Sequence, residues 1–457
     1  VSQPNIMFHL GLGSFHRAHQ AVYLQNLIDS GDDSWVLAGT NIRPDMQATL
    51  DQLVKQHGQY TLETVTPAGE RSYQTISSIR HVVPWDENLA GLIDMGAREE
   101  TRIISFTVTE AGYYLTPQNT LDHSFADLQS DLQNGTRLTI YGALAAILAE
   151  RIRLGRGPVT LLSCDNLRSN GDRFRAGFRA FLQQRNAPDL LAWVDANTTS
   201  PNAMVDRITP RPLPEVAERV KAATGKDDGC PVMGERFIQW VIEDHFISGR
   251  PAWEKVGVEM VASVLPYEEA KIRILNSSHS CIAWAGTLKG YRYIHEGTQD
   301  KDIHKMAFDY VTDDVMPCLS PSPIDLATYR DTVLDRFSNP YIQDTNQRVA
   351  ADGFAKIPGF LVPTFKECLA AGKSMDSVAM LPALFLAFLQ RWAAGQLPYA
   401  YQDQGMDEAA ARAMVAAADP VAAMTQDRIL WGDLAGNATL EAAVRRAYQR
   451  VSDWIGA

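Results

Sequence analysis

Long apolar runs, paired cysteines and an excess of basic charge are what this sequence lacks. Its longest apolar stretch, 378–389, is about a dozen residues and contains Pro382. A bilayer-spanning helix needs ~20, so this stretch predicts a buried helix. The five cysteines (Cys164, Cys230, Cys281, Cys318, Cys368) are odd in number, scattered, and form no C-x-x-C pair. That pattern argues against a disulfide framework and against a cysteine-rich zinc site, and suits a reducing compartment. Basic residues number 42 against 54 acidic ones, a net charge of -12. Such a balance argues against nucleic acid as a partner and says nothing of a small neutral substrate. No secretory pattern opens the sequence, since 1–10 reads as a strand running into a glycine turn. A cytoplasmic protein is expected, with a small-molecule partner and neither membrane nor nucleic acid.

Metal motifs are also missing. There is no H-E-x-x-H and no Cys/His cluster. His16 and His19 are three apart and would pair on a helix, whereas His9, His245, His295 and His304 are scattered. No metal is expected.

What is present is a globular composition, 46% hydrophobic and 21% charged, on a chain of 457 residues. That length predicts two domains. In the first half, 6–10, 35–40, 102–109 and 159–164 read as strands. Phe15, Ala18, Ala21, Val22, Leu24, Leu27 and Ile28 recur at helical spacing, and Gly31 stops that helix. The runs 59–65 and 71–79 flank Pro67-Ala68-Gly69 and predict a hairpin. This alternation predicts an α/β domain with a parallel, doubly wound sheet. From Tyr267 onward helical patterns dominate (268–288, 375–394, 408–418, 440–454), which puts a boundary near Pro266.

Gly11-Leu12-Gly13 follows a strand and precedes a helix, the context a dinucleotide pyrophosphate needs. The third glycine of G-x-G-x-x-G is replaced by His16, so by itself the turn is equally a plain strand–helix connection. The second strand ends Thr40-Asn41-Ile42-Arg43 without the usual acid. Asp45 comes slightly late but within reach of a ribose hydroxyl, while Arg43 suits a 2′-phosphate or is a surface charge; NAD is favoured over NADP. Two further strands end in polar residues, Thr107-Val-Thr-Glu110 and Ser163-Cys-Asp-Asn166. Ligands bind beyond such strand ends, making Glu110 and Asn166 candidates, although both types also cap helices.

The sharpest constellation is Lys271-Ile-Arg-Ile-Leu-Asn276-Ser-Ser-His279. On an α-helix Asn276 lies about 140° and His279 about 80° from Lys271, so all three can face one crevice. A buried lysine amine can serve as a base near neutral pH. Asn276 can donate to a developing oxyanion, and His279 can bind a neighbouring hydroxyl. A polar stripe on an ordinary amphipathic helix has the same spacing.

These segments, with Gly11-Leu-Gly-Ser-Phe-His-Arg-Ala-His-Gln20, Thr107-Val-Thr-Glu-Ala-Gly-Tyr113, Met204-Val-Asp-Arg-Ile-Thr-Pro210 and Arg336-Phe-Ser-Asn-Pro-Tyr-Ile-Gln-Asp344, occur in one order over nearly the whole chain. The sequence resembles the polyol-specific long-chain dehydrogenase (mannitol dehydrogenase) family. The resemblance implies a Rossmann-type dinucleotide-binding domain over 1–266, a mostly helical substrate domain over 267–457, and an active site between them. It implies metal-free hydride transfer to NAD, with Lys271 as general base. Asn166 and Asn276 would form the oxyanion hole, His279 would orient substrate, and Glu110 would relay protons. Asp206, Arg348 and Lys356 would bind substrate. Gly11, Leu12, Gly13, Ser14, Phe15, Arg17, Asp45 and Thr109 would bind cofactor; Phe15-His16-Arg17 in place of the third glycine is the family's own pattern. The stretches 39–45 and 59–66 favour D-arabinitol as substrate, giving D-xylulose, over mannitol or a uronate. A monomer is expected. A non-catalytic dinucleotide sensor is the alternative of a different class, and the complete Lys271/Asn276/His279 set argues against it.

Overall fold

The computed structural model describes residues 2–456. Its chain divides into two compact units. One ends at Val65, resumes at Glu70 and runs to Leu265; the other comprises Thr66–Gly69 and the chain from Pro266 onward.

Among the described residues the first unit carries every strand. In chain order these are β1 (Asn5–Leu10), β2 (Trp35–Thr40), β3 (Tyr60–Val65), β4 (Arg71–Ile76), β5 (Ile79–Val82), β6 (Thr101–Phe106), β7 (Val159–Ser163), β8 (Thr198–Thr199), β9 (Ala203–Asp206), β10 (Val232–Glu235), β11 (Gln239–Glu243) and β12 (Glu259–Val261). Six of them form a sheet in the order β5-β2-β1-β6-β7-β8, with every pair parallel. This is the doubly wound, Rossmann-type sheet that the alternation predicted. Its direction of winding reverses at β1 and β6, which places a crevice beyond their carboxyl ends.

Side chains on β1 alternate between two apolar layers. Ile6, Phe8 and Leu10 pack with helices Ile140–Arg153 and Asn170–Gln184, while Met7 packs with helix Gln20–Asp29. Both faces of the sheet are covered, and its central strands are buried except at Asn5 on β1 and Arg102 on β6.

The expected hairpin exists as β3 and β4, antiparallel from Tyr60↔Ile76 to Val65↔Arg71, and β10 joins it alongside β3. A further sheet, β12-β11-β9, was not anticipated, because its strands are too short to show alternation.

Two expectations in this unit need correction. The helix drawn from Phe15 to Ile28 is two helices, Ser14–Ala18 and Gln20–Asp29, broken at His19 with φ -128 and ψ -88. The strand drawn over 102–109 ends at Phe106, and the chain reaches Thr109 with φ +62, a left-handed conformation incompatible with a strand.

The second unit is helical. Helix Ser277–Leu288 is buried almost all round, and so is most of Met380–Ala393; Trp284 meets Phe385 at 4.8 Å between them. The helix expected over 268–288 is present, with a correction inside it: Lys271–Asn276 is a π-turn between α-helical segments. Two more π-turns, Tyr310–Val315 and Ile357–Leu361, occur in the same unit. Among the described residues no helix is long and apolar enough to cross a membrane.

Candidate active site

The glycine turn is built by close backbone approach. Gly11 has φ +112, and a Cβ there would stand 2.5 Å from the Thr107 carbonyl oxygen. Glycine is required on both counts. The turn is braced from β2, where Thr40 O accepts Gly11 N–H at 2.8 Å and Asn41 Oδ1 accepts Leu12 N–H at 2.8 Å. Gly13 has an ordinary φ of -81, and nothing lies within 4 Å of where its Cβ would be. Open space beside Gly13, with Ser14 and Phe15 following, fits the approach of a dinucleotide backbone to this turn.

Arg17 is placed differently from the other proposed cofactor residues. It is 2% exposed, its Nη1 donates to Cys230 O at 2.6 Å, and its guanidinium lies over the Tyr60 ring at 5.2 Å. Its contacts are those of a brace behind the turn. Arg43 donates to Tyr114 Oη at 2.6 Å and pairs with Asp127, so the one basic group suited to a 2′-phosphate is already engaged. Asp45 lies exposed in the short 3₁₀ turn Pro44–Met46.

The ends of β6 and β7 are held by Asp165, a residue that sequence reasoning passed over. Its carboxylate accepts Val108 N–H at 3.0 Å, Thr109 N–H at 2.9 Å and Tyr113 Oη–H at 2.6 Å. Burial pushes the Asp165 carboxyl up against these stabilising donors, and pushes the Tyr113 phenol up as well. This buried tie shapes the loop that leaves Thr109, Glu110 and Asn166 exposed beyond the sheet. Asp206 is buried at the end of β9.

Beneath the glycine turn His9, which the sequence shows only as scattered, joins His16 and His19 in one layer. His9 and His16 stack at 3.6 Å, His9 Nε2 reaches Thr107 Oγ1 at 3.1 Å, and Thr107 Oγ1 donates to Gly11 O at 3.0 Å. His16 and His19 do not pair as ligands, because the helix breaks between them. His16 Nδ1 meets Gln20 Oε1, and His19 Nε2 donates to Gln239 O. Among the described residues no three His, Cys, Asp or Glu side chains gather as metal ligands.

In the second unit Lys271 opens the π-turn and is 5% exposed; Asn276 closes the turn and His279 follows, both half-buried. The α-helical angle of about 140° between Lys271 and Asn276 therefore does not hold. A π-turn closes on the fifth residue, as Ser277 N–H does on Ile272 O, and so brings residue i+5 round toward residue i. Asn276 is the fifth residue after Lys271.

The turn is anchored by residues that the sequence did not single out. Tyr310 Oη–H donates to Arg273 O at 2.6 Å, and Ser277 Oγ–H donates to Ile272 O at 3.1 Å. The buried Arg273 guanidinium holds Glu367 through two bonds of 3.0 and 2.8 Å, and Thr364 Oγ1 at 3.1 Å.

His279, Arg348 and Lys356 belong to one cluster, organised by Asp344. The His279 ring stacks on Phe337 at 4.3 Å, and its Nε2 is 3.1 Å from Asp344 Oδ2, at ion-pair distance but off a hydrogen-bond axis. Arg348 grips the same carboxylate through Nε and Nη2 at 2.7 and 2.6 Å. These partners hold the Asp344 carboxyl well below its ordinary range in spite of its burial. Burial lowers His279, with Asp344 opposing. Lys356 donates to Val349 O at 2.5 Å and is pushed down to about 8, by burial first, with Arg348 adding to it. The spacing of Asp344 and Arg348, i and i+4 with opposite charge, was the available sequence signal for this anchor.

A dinucleotide-type turn in one unit, and a buried lysine followed by amide, imidazole and guanidinium donors in the other, are the elements of alcohol oxidation by hydride transfer. Known proteins agree. Residues 5–255 match the family model described as the mannitol dehydrogenase Rossmann domain, and 263–452 the one described as the mannitol dehydrogenase C-terminal domain. The chain is 63% identical to D-arabinitol 4-dehydrogenase of Ralstonia nicotianae, over 100% of this chain and 98% of the relative. It is 56% identical to D-arabinitol 4-dehydrogenase of Klebsiella pneumoniae, over 96% of each. Among solved structures, mannitol 2-dehydrogenase of Pseudomonas fluorescens in ternary complex with NAD and D-mannitol is similar at a TM-score of 0.82. It shares 35% identity, over 99% of this chain and 92% of that one.

Proposed function

The chain belongs to the mannitol dehydrogenase family, and we propose that it oxidises D-arabinitol to D-xylulose with NAD+ as hydride acceptor. The observation that carries the reading is Lys271, buried at the head of a braced π-turn whose last residue is Asn276. The 63% identity to a D-arabinitol 4-dehydrogenase supports the choice of substrate.

In this reading the Lys271 amine takes the hydroxyl proton of the carbon being oxidised. Asn166 and Asn276 donate their amide N–H groups to the oxygen as it gains charge. His279, Arg348, Lys356 and Asp206 bind the remaining hydroxyls, and Glu110 passes the proton from Lys271 to water. The nicotinamide, when bound, supplies the hydride acceptor. Gly11 to Phe15, Thr109 and Asp45 line its site, with Arg17 bracing the turn from behind. Arg43, engaged by Asp127 and Tyr114, favours NAD over NADP. No step calls for a metal. Residues 1–266 serve the cofactor and 267–457 the substrate, in a cytoplasmic monomer.

The deciding experiment follows the absorbance of reduced nicotinamide with D-arabinitol, D-mannitol, D-sorbitol and xylitol, each with and without EDTA. Fastest turnover on D-arabinitol, unaffected by EDTA, is expected. Preference for D-mannitol would keep the chemistry and move the substrate, and inhibition by EDTA would overturn the metal-free step. Cofactor binding without turnover of any polyol or ketose would replace the enzyme with a dinucleotide sensor.

A further inference from the structure

Two thiols separated by 50 residues in sequence meet in the second unit, where Cys318 Sγ and Cys368 Sγ lie 3.7 Å apart. Cys318 sits on the short helix Met316–Leu319 and is partly exposed; Cys368 is buried on helix Val362–Ala370. The remaining cysteines, Cys164, Cys230 and Cys281, are buried.

The pair is unequal in the way thiol oxidation requires. Cys318 is reachable from solvent, and its thiol is lowered by the hydrogen bond with Cys368 and then by the Arg273 guanidinium, against burial and Glu367. Cys368 is raised by the same contact and by burial. A thiolate with access to solvent is the reactive form, and a nearby second thiol resolves the product.

We propose that Cys318 and Cys368 form a dithiol site that a peroxide converts into an intrachain disulfide. The Cys318 thiolate attacks one oxygen of hydrogen peroxide and the O–O bond breaks, giving Cys318 sulfenic acid and hydroxide. Cys368 sulfur then attacks the Cys318 sulfur. The S–OH bond breaks, the S–S bond forms, and water leaves with the Cys368 proton. Two thiols are oxidised, and one peroxide is reduced to two waters.

The crosslink ties Met316–Leu319 to the helix whose Glu367, adjacent to Cys368, clamps Arg273 of the Lys271–Asn276 turn. The oxidisable pair is therefore one side chain away from the turn that carries the proposed base.

The test uses the full chain treated with hydrogen peroxide, denatured, alkylated with iodoacetamide and mapped by mass spectrometry. The expected result is loss of two hydrogen atoms, a fall of two in the five alkylatable thiols, and a peptide joining Cys318 to Cys368 that dithiothreitol separates. Five thiols still alkylated would overturn the proposal. So would oxygen added to Cys318 while Cys368 remains alkylatable. In Cys368→Ser, Cys318 is expected to gain oxygen instead of closing; a disulfide formed in that variant would refute the pairing. Because the readout is covalent mass, it is independent of whether the chain turns over D-arabinitol.

Discussion

The Asp344 carboxylate faces His279 Nε2 at 3.1 Å while its two oxygens hold the guanidinium of Arg348. Asp344 is 10% exposed, His279 13% and Arg348 65%, so a largely buried anion holds a solvent-facing cation on one side and an equally buried imidazole on the other. Asp344→Asn keeps the shape and removes the charge. Hydrogen bonds to charged groups contribute about 1.5–3 kcal/mol, so kcat/KM for the polyol should fall by roughly 10- to 100-fold. Most of that loss should appear as a higher KM, because the cluster binds hydroxyls and does not take the proton. Unchanged kcat/KM in a folded variant would show that Asp344 does not organise the substrate site.

Two lysines compete for the role of base. Lys356 is pushed down to about 8 by burial, which leaves a minority of its amine neutral near physiological pH, more than an ordinary lysine would have. Lys271 is the more buried and lies on the turn shared with Asn276. Lys271→Ala should keep NADH binding, measured by fluorescence titration, and lose about 10²–10⁴ in kcat, the range for removal of a general base. Lys356→Ala should raise KM while leaving kcat within about tenfold. The reverse pattern would transfer the base to Lys356.

Gly11 and Gly13 give opposite answers to the same substitution. Gly11→Ala forces a side chain onto φ +112 with its Cβ 2.5 Å from Thr107 O, so the glycine turn must move. A loss of about 1–3 kcal/mol in stability is expected, together with NADH affinity. Gly13→Ala meets no protein atom and should fold normally, losing only cofactor affinity. Thermal midpoints and NADH titrations of both variants check this. Equal affinity for NADH in Gly13→Ala and the unaltered chain would mean that the open space beside Gly13 is not the dinucleotide site.

Four strands of the large sheet, β1, β2, β6 and β7, were legible because burial on both faces makes them apolar runs bounded by glycine and polar residues, whereas the short edge strands β5 and β8 were not. The break at His19 was not, since Phe15 to Ile28 keeps helical spacing across a single residue of altered backbone. The π-turn was hidden for a related reason. Its extra residue is stabilised by Tyr310, which lies far along the chain, and the run Lys271 to His279 has no local feature that betrays it. Lys271, Asn276 and His279 declared themselves by residue type and by resemblance. Asp165 acts through tertiary contacts that no local pattern encodes, whereas Asp344 pairs with Arg348 four residues on and left only that local charge spacing as a signal.

The histidine layer under the glycine turn should make the first unit sensitive to acid. Gln239 O can only accept, so His19 Nε2 carries a proton and Nδ1 is left to accept from the Gln20 amide. Gln20 Oε1 then accepts from His16 Nδ1–H. This chain is complete only with a neutral His19 ring, whose Nδ1 must accept. Burial accordingly lowers His16 and His19 to about 3, and His9 well below its ordinary value. Because the folded values lie below the unfolded one near 6.5, the unfolded chain binds more protons once the pH drops below ~6.5. Stability is therefore complete above that pH and is lost as the pH falls toward the folded values. The loss is up to about 1.4 kcal/mol per pH unit for each histidine. Unfolding by urea at a series of pH values from about 8 to about 5, a range that straddles the unfolded value, reads this slope directly, with circular dichroism as the probe. His16→Gln should lower stability at the alkaline end and flatten the acid slope by close to one proton. If the slope is as steep in that variant, the protons are being taken up elsewhere and the layer is not the source of acid sensitivity.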